Sequence, residues 1–429
     1  MWIEFVLLVG ALIALLVAGM WVPFAIGICG LAILYYEGGT MAMRALGLVS
    51  WGSMTSFTLT SIPLFIFMAE ILGQSGVGKR FYDGMSVLVR KLPGGLLQTN
   101  IMGSALFAAI CGSSVATAAS IGSIALPHLK ERQYDQKLSC GSLAAGGTLG
   151  ILIPPSITMI IYGTLSETSI SKLFMAGLVP GIVLASLYVL YISVRTLLNP
   201  NLVPKHVEPA SRREVLAAIT SLAPLTGLIL IVLGGIYLGY STPTEAAAVG
   251  SMLSLIIAIS WRELTLERLK NAVVSTVNVS CTLLFIILAA IIFSYGIELG
   301  GVGHTLVEGV TNLSLNRFEF LLVLIAVYLV LGCFLDGAGM IVLTVPLLLP
   351  VIHAMQIDPI WFGVFVVLML EMGMLSPPFG LNLFVVQGVS GWSFPTVVFG
   401  TIPFLVILVA FAVLMIAFPQ MALWLPAQL

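Results

Sequence analysis

The sequence predicts an all-α polytopic membrane protein with an inverted-repeat fold, each repeat holding a re-entrant helical hairpin and a broken helix. Composition is the first observation: of 429 residues, 59% are hydrophobic and 8% charged, and the mean hydropathy is +1.14. Soluble domains carry about 25% charged residues. The second is a pair of interruptions in apolar sequence, at Gly112-Ser113-Ser114 and at the prolines of Gly150-x-x-x-Pro154-Pro155. The third is that both interruptions recur about 220 residues further on.

The apolar pieces on either side of Gly112 are each short of the roughly 20 residues that a crossing needs. Two half-length helices meeting at a Gly-Ser tip read as a re-entrant hairpin, and the segment after them as a helix broken at its prolines. Broken backbone at membrane depth is tolerated only inside protein or beside a water-filled cavity. The stretch 101–166 is therefore the first place to seek a binding site.

In chain order, hydropathy gives spans near 3–19, 21–36, 54–74, 138–165, 170–198, 215–239, 243–260, 272–298, 361–390 and 395–418, with hairpins at 96–129 and 318–353. Trp2-Ile3-Glu4 follows Met1 with no basic n-region, so the first segment reads as a membrane helix and not a removed leader. Two short amphipathic helices are expected, at 78–92 with Lys79, Arg80, Arg90 and Lys91, and at 264–272 with Glu267, Arg268 and Lys270. Each suits a helix lying in the interface plane, bracing another protein or linking spans. Thr242-Pro243-Thr244-Glu245 is a helix-start capping sequence. These elements group as 1–95 (N-terminal helices, first amphipathic helix), 96–166 (hairpin and broken helix of repeat 1) and 167–271 (scaffold helices, second amphipathic helix). Repeat 2 follows as 272–317 (arm and connection) and 318–390 (hairpin and broken helix), with 391–429 as a C-terminal scaffold helix.

The near-balance of 17 basic and 18 acidic residues argues against a nucleic-acid partner. Lysine and arginine concentrate on the cytoplasmic side of membrane proteins. With both hairpins re-entrant, fourteen of the seventeen, Lys205 among them, fall on one side and only Arg44, Lys172 and Arg317 on the other. The first hairpin then opens to the cytoplasm, the second to the outside, and both termini lie outside. The five cysteines (Cys29, Cys111, Cys140, Cys281, Cys333) stand singly in apolar segments and read as buried small hydrophobes. Enzyme chemistry finds no paired acids, H-E-x-x-H or serine with an accessible base, and a channel would want selectivity rings that are not visible. No GxxxxGK[ST] phosphate loop is present.

The repeat rests on three matches in one order. Leu64-Phe65-Ile66 returns as Leu284-Phe285-Ile286, the tip Gly112-Ser113-Ser114 as Gly332 to Asp336-Gly337, and Gly150-x-x-x-Pro154-Pro155 as Gly373-x-x-x-Pro377-Pro378. The charge bias sets the copies in opposite orientations, an architecture typical of secondary transporters. Adjacent prolines lack N–H groups and free the carbonyls of the preceding turn. Such oxygens are hard ligands for a small cation such as Na⁺. Gly112, Ser113 and Ser114 with Gly150, Ile153 and Pro154 form one candidate site, and Gly332 with Gly373, Ser376 and Phe379 its mirror. Helix N-termini facing the gap favour an anionic substrate. The prolines could instead simply kink a packed helix.

Asp336, directly before Gly337, is a carboxylate at membrane depth, where insertion costs about 2.5–3.5 kcal/mol. It reads either as a helix cap at a hairpin tip or as a ligand for substrate or cation. Ser156 and Asn382 stand just past the proline pairs and offer polar atoms to a ligand. Gln387 fits interhelical hydrogen bonding, and Glu70 and Glu371 fit structural pairing or a cytoplasmic-side cavity.

Taken together, Ile62-Pro63-Leu64-Phe65-Ile66, Gly112-Ser113-Ser114-Val115-Ala116-Thr117, Gly150 to Pro154-Pro155-Ser156, Thr242-Pro243-Thr244-Glu245-Ala246-Ala247 and Asp336-Gly337 resemble the large, DctM-type membrane subunit of tripartite ATP-independent periplasmic (TRAP) transporters. The resemblance covers essentially the whole chain. It implies a Na⁺-coupled importer of organic acids, with at least two Na⁺ ions, working by an elevator-type movement in a bacterial inner membrane. It also implies two partners, a small four-helix membrane subunit and a periplasmic substrate-binding protein. The family's cation sites map onto the two Gly-Pro breaks and hairpin tips, and its substrate-side polar residues onto Ser113, Ser156 and Asp336. At Phe379 only the main-chain oxygen can serve. Sialic acid-type carboxylated sugars and C4-dicarboxylates are both open as substrate. A stand-alone di- or tricarboxylate carrier needing no binding protein is the alternative.

Overall fold

The computed structural model describes residues 2–204 and 210–428; Lys205, counted in the charge bias, lies outside them. Among the described residues the chain is helical throughout. It opens with α1 (Trp2–Val17) and α2 (Val22–Met54), followed by a short 3₁₀ turn and α3 (Ser61–Gln74). The first repeat continues with α4 (Val77–Leu88), α5 (Leu96–Cys111), α6 (Ser114–Glu131), α7 (Gln136–Leu152), α8 (Ile157–Leu165) and α9 (Ile170–Leu198). Next come α10 (Arg212–Tyr237) and α11 (Pro243–Ser260). The second half holds α12 (Leu266–Leu299), α13 (Val302–Asn312), α14 (Arg317–Leu331), α15 (Gly337–Ala354), α16 (Pro359–Leu375), α17 (Leu381–Ser390) and α18 (Phe394–Ala417), followed by a short α19 (Gln420–Leu423) and a 3₁₀ turn, Pro426–Gln428. Eight helices are long and apolar enough to cross a membrane, or up to ten if each bent pair counts as one span.

The segments expected as hairpins hold α5–α6 and α14–α15, of which α5 and α6 pack together and α15 is by itself long and apolar enough to cross a membrane. The segments expected as broken helices hold α7–α8, bent by 41°, and α16–α17. The span placed at 21–36 is the first part of α2, which breaks at the non-helical Gly39 (φ 55°, ψ −145°); a second helical stretch, not expected from the sequence, continues beyond the kink to Met54. The amphipathic helix expected at 264–272 does not exist as a separate element. Thr265 caps the start of α12, no glycine or proline interrupts it before Gly296, and one helix of 34 residues forms. Helix α13 starts in the same way as α4. Both begin after a left-handed glycine, Gly76 at φ 70° and Gly301 at φ 64°, in the matching triplets Gly76-Val77-Gly78 and Gly301-Val302-Gly303.

Packing divides the helices into two groups. In one, α2 lies along α12, α3 along α11 and α12, and α10 along α11 and α4. In the other, α5, α6 and α7 pack together, α18 covers α7, and α16 packs on α7, α14 and α18. The regions expected to be scaffold at 170–198 and 395–418 fall in this second group, since α9 packs on α5, α7 and α16, and α18 on α7 and α16. Small residues allow the close approach: a Cβ at Gly141 of α7 would collide with the backbone of Gly400 in α18, and one at Gly177 of α9 would lie 2.7 Å from Leu152 O of α7. Close backbone approach of this kind is how helices associate where hydrophobicity alone gives no drive. All residues of α7 from Leu138 to Leu152 are buried. By contrast, α10, α11 and α12 leave Leu216, Leu230, Met252, Ile259 and Val277 exposed, an apolar exterior suited to lipid or another membrane protein.

Cysteine placement departs in part from expectation. Cys29, Cys111 and Cys140 are buried, but Cys281 faces outward on α12 and Cys333 is half-buried at the second tip. The capping expectation at Thr242 holds: Thr242 Oγ1 accepts from Glu245 N at 3.3 Å, and Thr242 N donates to Glu245 Oε2 at 2.8 Å.

Candidate functional site

Each hairpin tip sits against the break of its own repeat. Gly112 ends α5 in the left-handed conformation, φ 59°, which a side chain rarely adopts. A Cβ there would lie 2.9 Å from Pro155 O. Gly150 lies against the tip in turn: its Cβ would stand 2.7 Å from both Ser113 O and Thr117 Oγ1. In the second repeat a Cβ on Gly373 would lie 2.8 Å from Gly332 Cα, and Cys333 Sγ reaches Pro377 O at 3.7 Å. The structure thus brings Gly112, Ser113, Ser114, Gly150 and Pro154-Pro155 together in one cluster, and Gly332 and Gly373 in another.

The breaks expose backbone oxygen for a local reason. In an α-helix each carbonyl accepts from the N–H four residues on. For Gly150 and Ile151 those residues are Pro154 and Pro155; for Gly373 and Met374 they are Pro377 and Pro378. Neither proline pair has an N–H to give. Ile153 and Ser376 follow in extended conformation, ψ 122° and 125°, and turn the chain away from the helix axis. Ser376 N bonds back to Gly373 O at 3.2 Å. Gly380 lets the chain fold over the second break, since a Cβ there would lie 2.6 Å from Met374 O and 2.8 Å from Ser376 O.

Four helices begin at these breaks: α6 at Ser114, α8 at Ile157, α15 at Gly337 and α17 at Leu381. Three of them are capped by residues singled out in the sequence. Ser113 Oγ accepts from Ala116 N at 3.5 Å, Ser156 Oγ from Met159 N at 3.3 Å, and Asp336 Oδ1 from Gly339 N at 3.2 Å. Asp336 is exposed at its tip and Ser113 half-buried, so each keeps oxygen available to a ligand. Ser156 is fully buried and spends its hydroxyl on the cap. Phe379 turns its ring outward, 52% exposed, beside Phe334 with ring centroids 6.4 Å apart. Ser376 is buried, and its hydroxyl reaches Pro377 O at 3.4 Å. Asn382 joins the two repeats, its amide donating to Ser114 Oγ at 2.6 Å.

Sequence reasoning gave Thr117 no role. Its hydroxyl is buried, has no hydrogen-bond partner among the described residues, and lies beside Gly150. The signal was its spacing, one helical turn past Ser113 and hence on the same face of α6. Glu371 departs from the expected pairing or cavity: it is fully buried in α16, and neither carboxyl oxygen has a partner among the described residues. Free carbonyls and an unspent hydroxyl in one place are a donor set suited to a hard cation.

The family model for the tripartite ATP-independent periplasmic transporter, DctM component, matches residues 9–421. The chain belongs to the DctM family. Among curated relatives, the DctM-type large permease of a C4-dicarboxylate TRAP transporter from Pseudomonas aeruginosa is 36% identical over 90% of each chain. The sialic acid TRAP transporter large permease SiaM from Vibrio cholerae is 33% identical over 96% of each. Among solved structures, the YdaH transporter of Alcanivorax borkumensis shares the fold at a TM-score of 0.64, with 14% identity and 89% of each chain covered. This DctM-type subunit is thus a multi-pass membrane permease of the TRAP class.

Proposed function

We propose that this DctM-type subunit is the Na⁺-coupled importer of a TRAP system, carrying an organic acid inward across a bacterial inner membrane with a small membrane subunit and a periplasmic substrate-binding protein. The observation that carries the reading is the pairing of two tips with two proline breaks, where the prolines withhold the N–H groups that the carbonyls of the preceding turn would otherwise meet. Gly112, Ser113, Ser114, Gly150, Ile153 and Pro154, with Thr117, would hold one Na⁺. Gly332, Gly373, Ser376 and Phe379 would hold a second through main-chain oxygen. The four helix N-termini, with Ser113 nearby, suit the carboxylate of the cargo; Asn382 is fully buried and spends its amide on Ser114 instead. Bound Na⁺ would offset the carboxylate of Asp336 beside it.

One Na⁺ entering down 100 mV supplies about 2.3 kcal/mol before any concentration gradient is counted, so two ions support steep accumulation without ATP. In the elevator reading the hairpins are re-entrant, and α5–α9 with α14–α19 move as a body against α2, α3 and α10–α12. This follows the packing, and it moves α9 and α18 out of the static wall. The relatives' names point to C4-dicarboxylates or sialic acid as cargo.

The test is uptake of radiolabelled succinate and sialic acid by proteoliposomes holding the subunit with its two partners, with and without a Na⁺ gradient. Ser113→Ala, Asp336→Ala and Ser376→Pro are each expected to cut Na⁺-driven uptake while the protein remains in the membrane. Wild-type rates in all three would refute the site. Uptake by this subunit with neither partner present would favour a stand-alone carrier.

A further inference from the structure

We propose that Asn382 is a positioning residue that couples the two breaks, by holding the first turn of α17 against the first turn of α6. Its Nδ2 donates to Ser114 Oγ at 2.6 Å and to Ala144 O at 3.4 Å. All of this is out of reach of solvent: Asn382 is 0% and Ser114 1% exposed. A buried hydrogen bond that water cannot replace is expensive to break. Ser114 belongs to the first tip, whereas Asn382 lies nine residues beyond Gly373 in the second broken helix.

The contact is the inner end of a clamp. Helices α6 and α17 pack along each other. At their outer end Lys130 Nζ donates to Ser390 O at 2.6 Å and lies 5.4 Å from the centre of the Trp392 ring. A cation at the last carbonyls of α17 also opposes the negative end of its dipole. The mirror pair, α8 and α15, also packs together, but among the described residues no side-chain hydrogen bond joins them. There the caps Ser156 and Asp336 bond only within their own helices. Communication between the two candidate sites therefore runs through one side, and Asn382 carries it. When a cation pulls in the carbonyls of the second break, the start of α17 shifts and Ser114 follows.

This rests on the Na⁺ reading above, and the test separates the two. The purified subunit is titrated with NaCl, with KCl holding ionic strength constant, and thermal unfolding is followed. The wild type is expected to respond steeply, as two linked sites do. Ser114→Ala and Asn382→Ala should each flatten the curve to a single-site slope. Each should also raise the half-point about tenfold, the effect of losing one buried hydrogen-bond partner. The double variant should be no worse than either single one, since both break the same contact. Lower unfolding temperatures at every Na⁺ level with an unchanged slope would show a merely structural bond and overturn the proposal, as would additive effects. If Asn382→Ala fails to fold, Asn382→Asp, which keeps the size of the side chain and removes the amide donor, decides by the same slope. A wild type indifferent to Na⁺ would defeat the Na⁺ reading and the coupling together.

Discussion

Gly332 and Gly373 stand back to back, so that a methyl group on Gly373 would lie 2.8 Å from Gly332 Cα and one on Gly332 would meet the backbone of Gly373. The second tip and its break thus meet backbone to backbone at this point. Gly373→Ala is expected to force tip and break apart and to lower transport at least tenfold, with a loss of about 1–3 kcal/mol in stability. Gly388→Ala, at a position in α17 with nothing within 4 Å of the added carbon, is the control. It should be neutral or stabilising by up to about 1 kcal/mol. Uptake and thermal unfolding of the two variants side by side check both statements.

Gly150 makes the matching case in the first repeat, but its neighbours are polar oxygens, Ser113 O and Thr117 Oγ1. Gly150→Ala should therefore weaken Na⁺ dependence more than it weakens the fold. Thr117→Val keeps the shape and removes the unpartnered hydroxyl. The expected result is an unfolding temperature at or above wild type, because an unsatisfied buried group disappears, together with a raised Na⁺ requirement. A Na⁺ requirement unchanged in Thr117→Val would leave that hydroxyl without a function.

Glu263, in the turn between α11 and α12, accepts from Arg80 of α4 at 2.9 Å and from Arg268 at 3.3 Å. Hydrogen bonds from Arg80 and then Arg268 hold its carboxyl below the ordinary carboxylate range. The sign follows from linkage: a depressed folded-state value gives a contribution present above the unfolded value and lost as pH falls through the folded one. The tie between α4 and this turn should thus persist through neutral and mildly acid solution and release only below about pH 4. Spin labels on α4 and on the turn read the distance. Widening near neutral pH would contradict the assignment, and high salt should mimic acid because the pair is exposed.

Thr242→Ala removes half of the reciprocal cap that starts α11. The expected loss is about 1 kcal/mol, seen as a lower unfolding temperature with Na⁺ dependence unaltered. A changed Na⁺ dependence would mean that this cap also serves the site.

The helix breaks were legible in the residues because glycine and proline act locally: Gly112 sets a left-handed turn and Pro154-Pro155 deletes donors wherever they sit. What escaped was tertiary or cooperative. Glu267, Arg268 and Lys270 look like an interface helix, yet a helix propagates until something stops it, and nothing does before Gly296. The shared start of α4 and α13 lies in two glycine triplets too short to stand out among 43 glycines. Asn382 seemed free for a ligand because nothing in sequence foretells a partner 268 positions away. The isolation of Glu371 was equally invisible, since burial without a partner is a property of everything around it.

The crossing of α17 onto α6, and of α8 onto α15, bears on how such a molecule could have arisen. Each half lends its partner the short helix that closes the partner's tip, so neither half is a finished object alone. An ancestor encoding one half could have worked only by finding a twin of itself, and fusing the two genes would have made that encounter permanent.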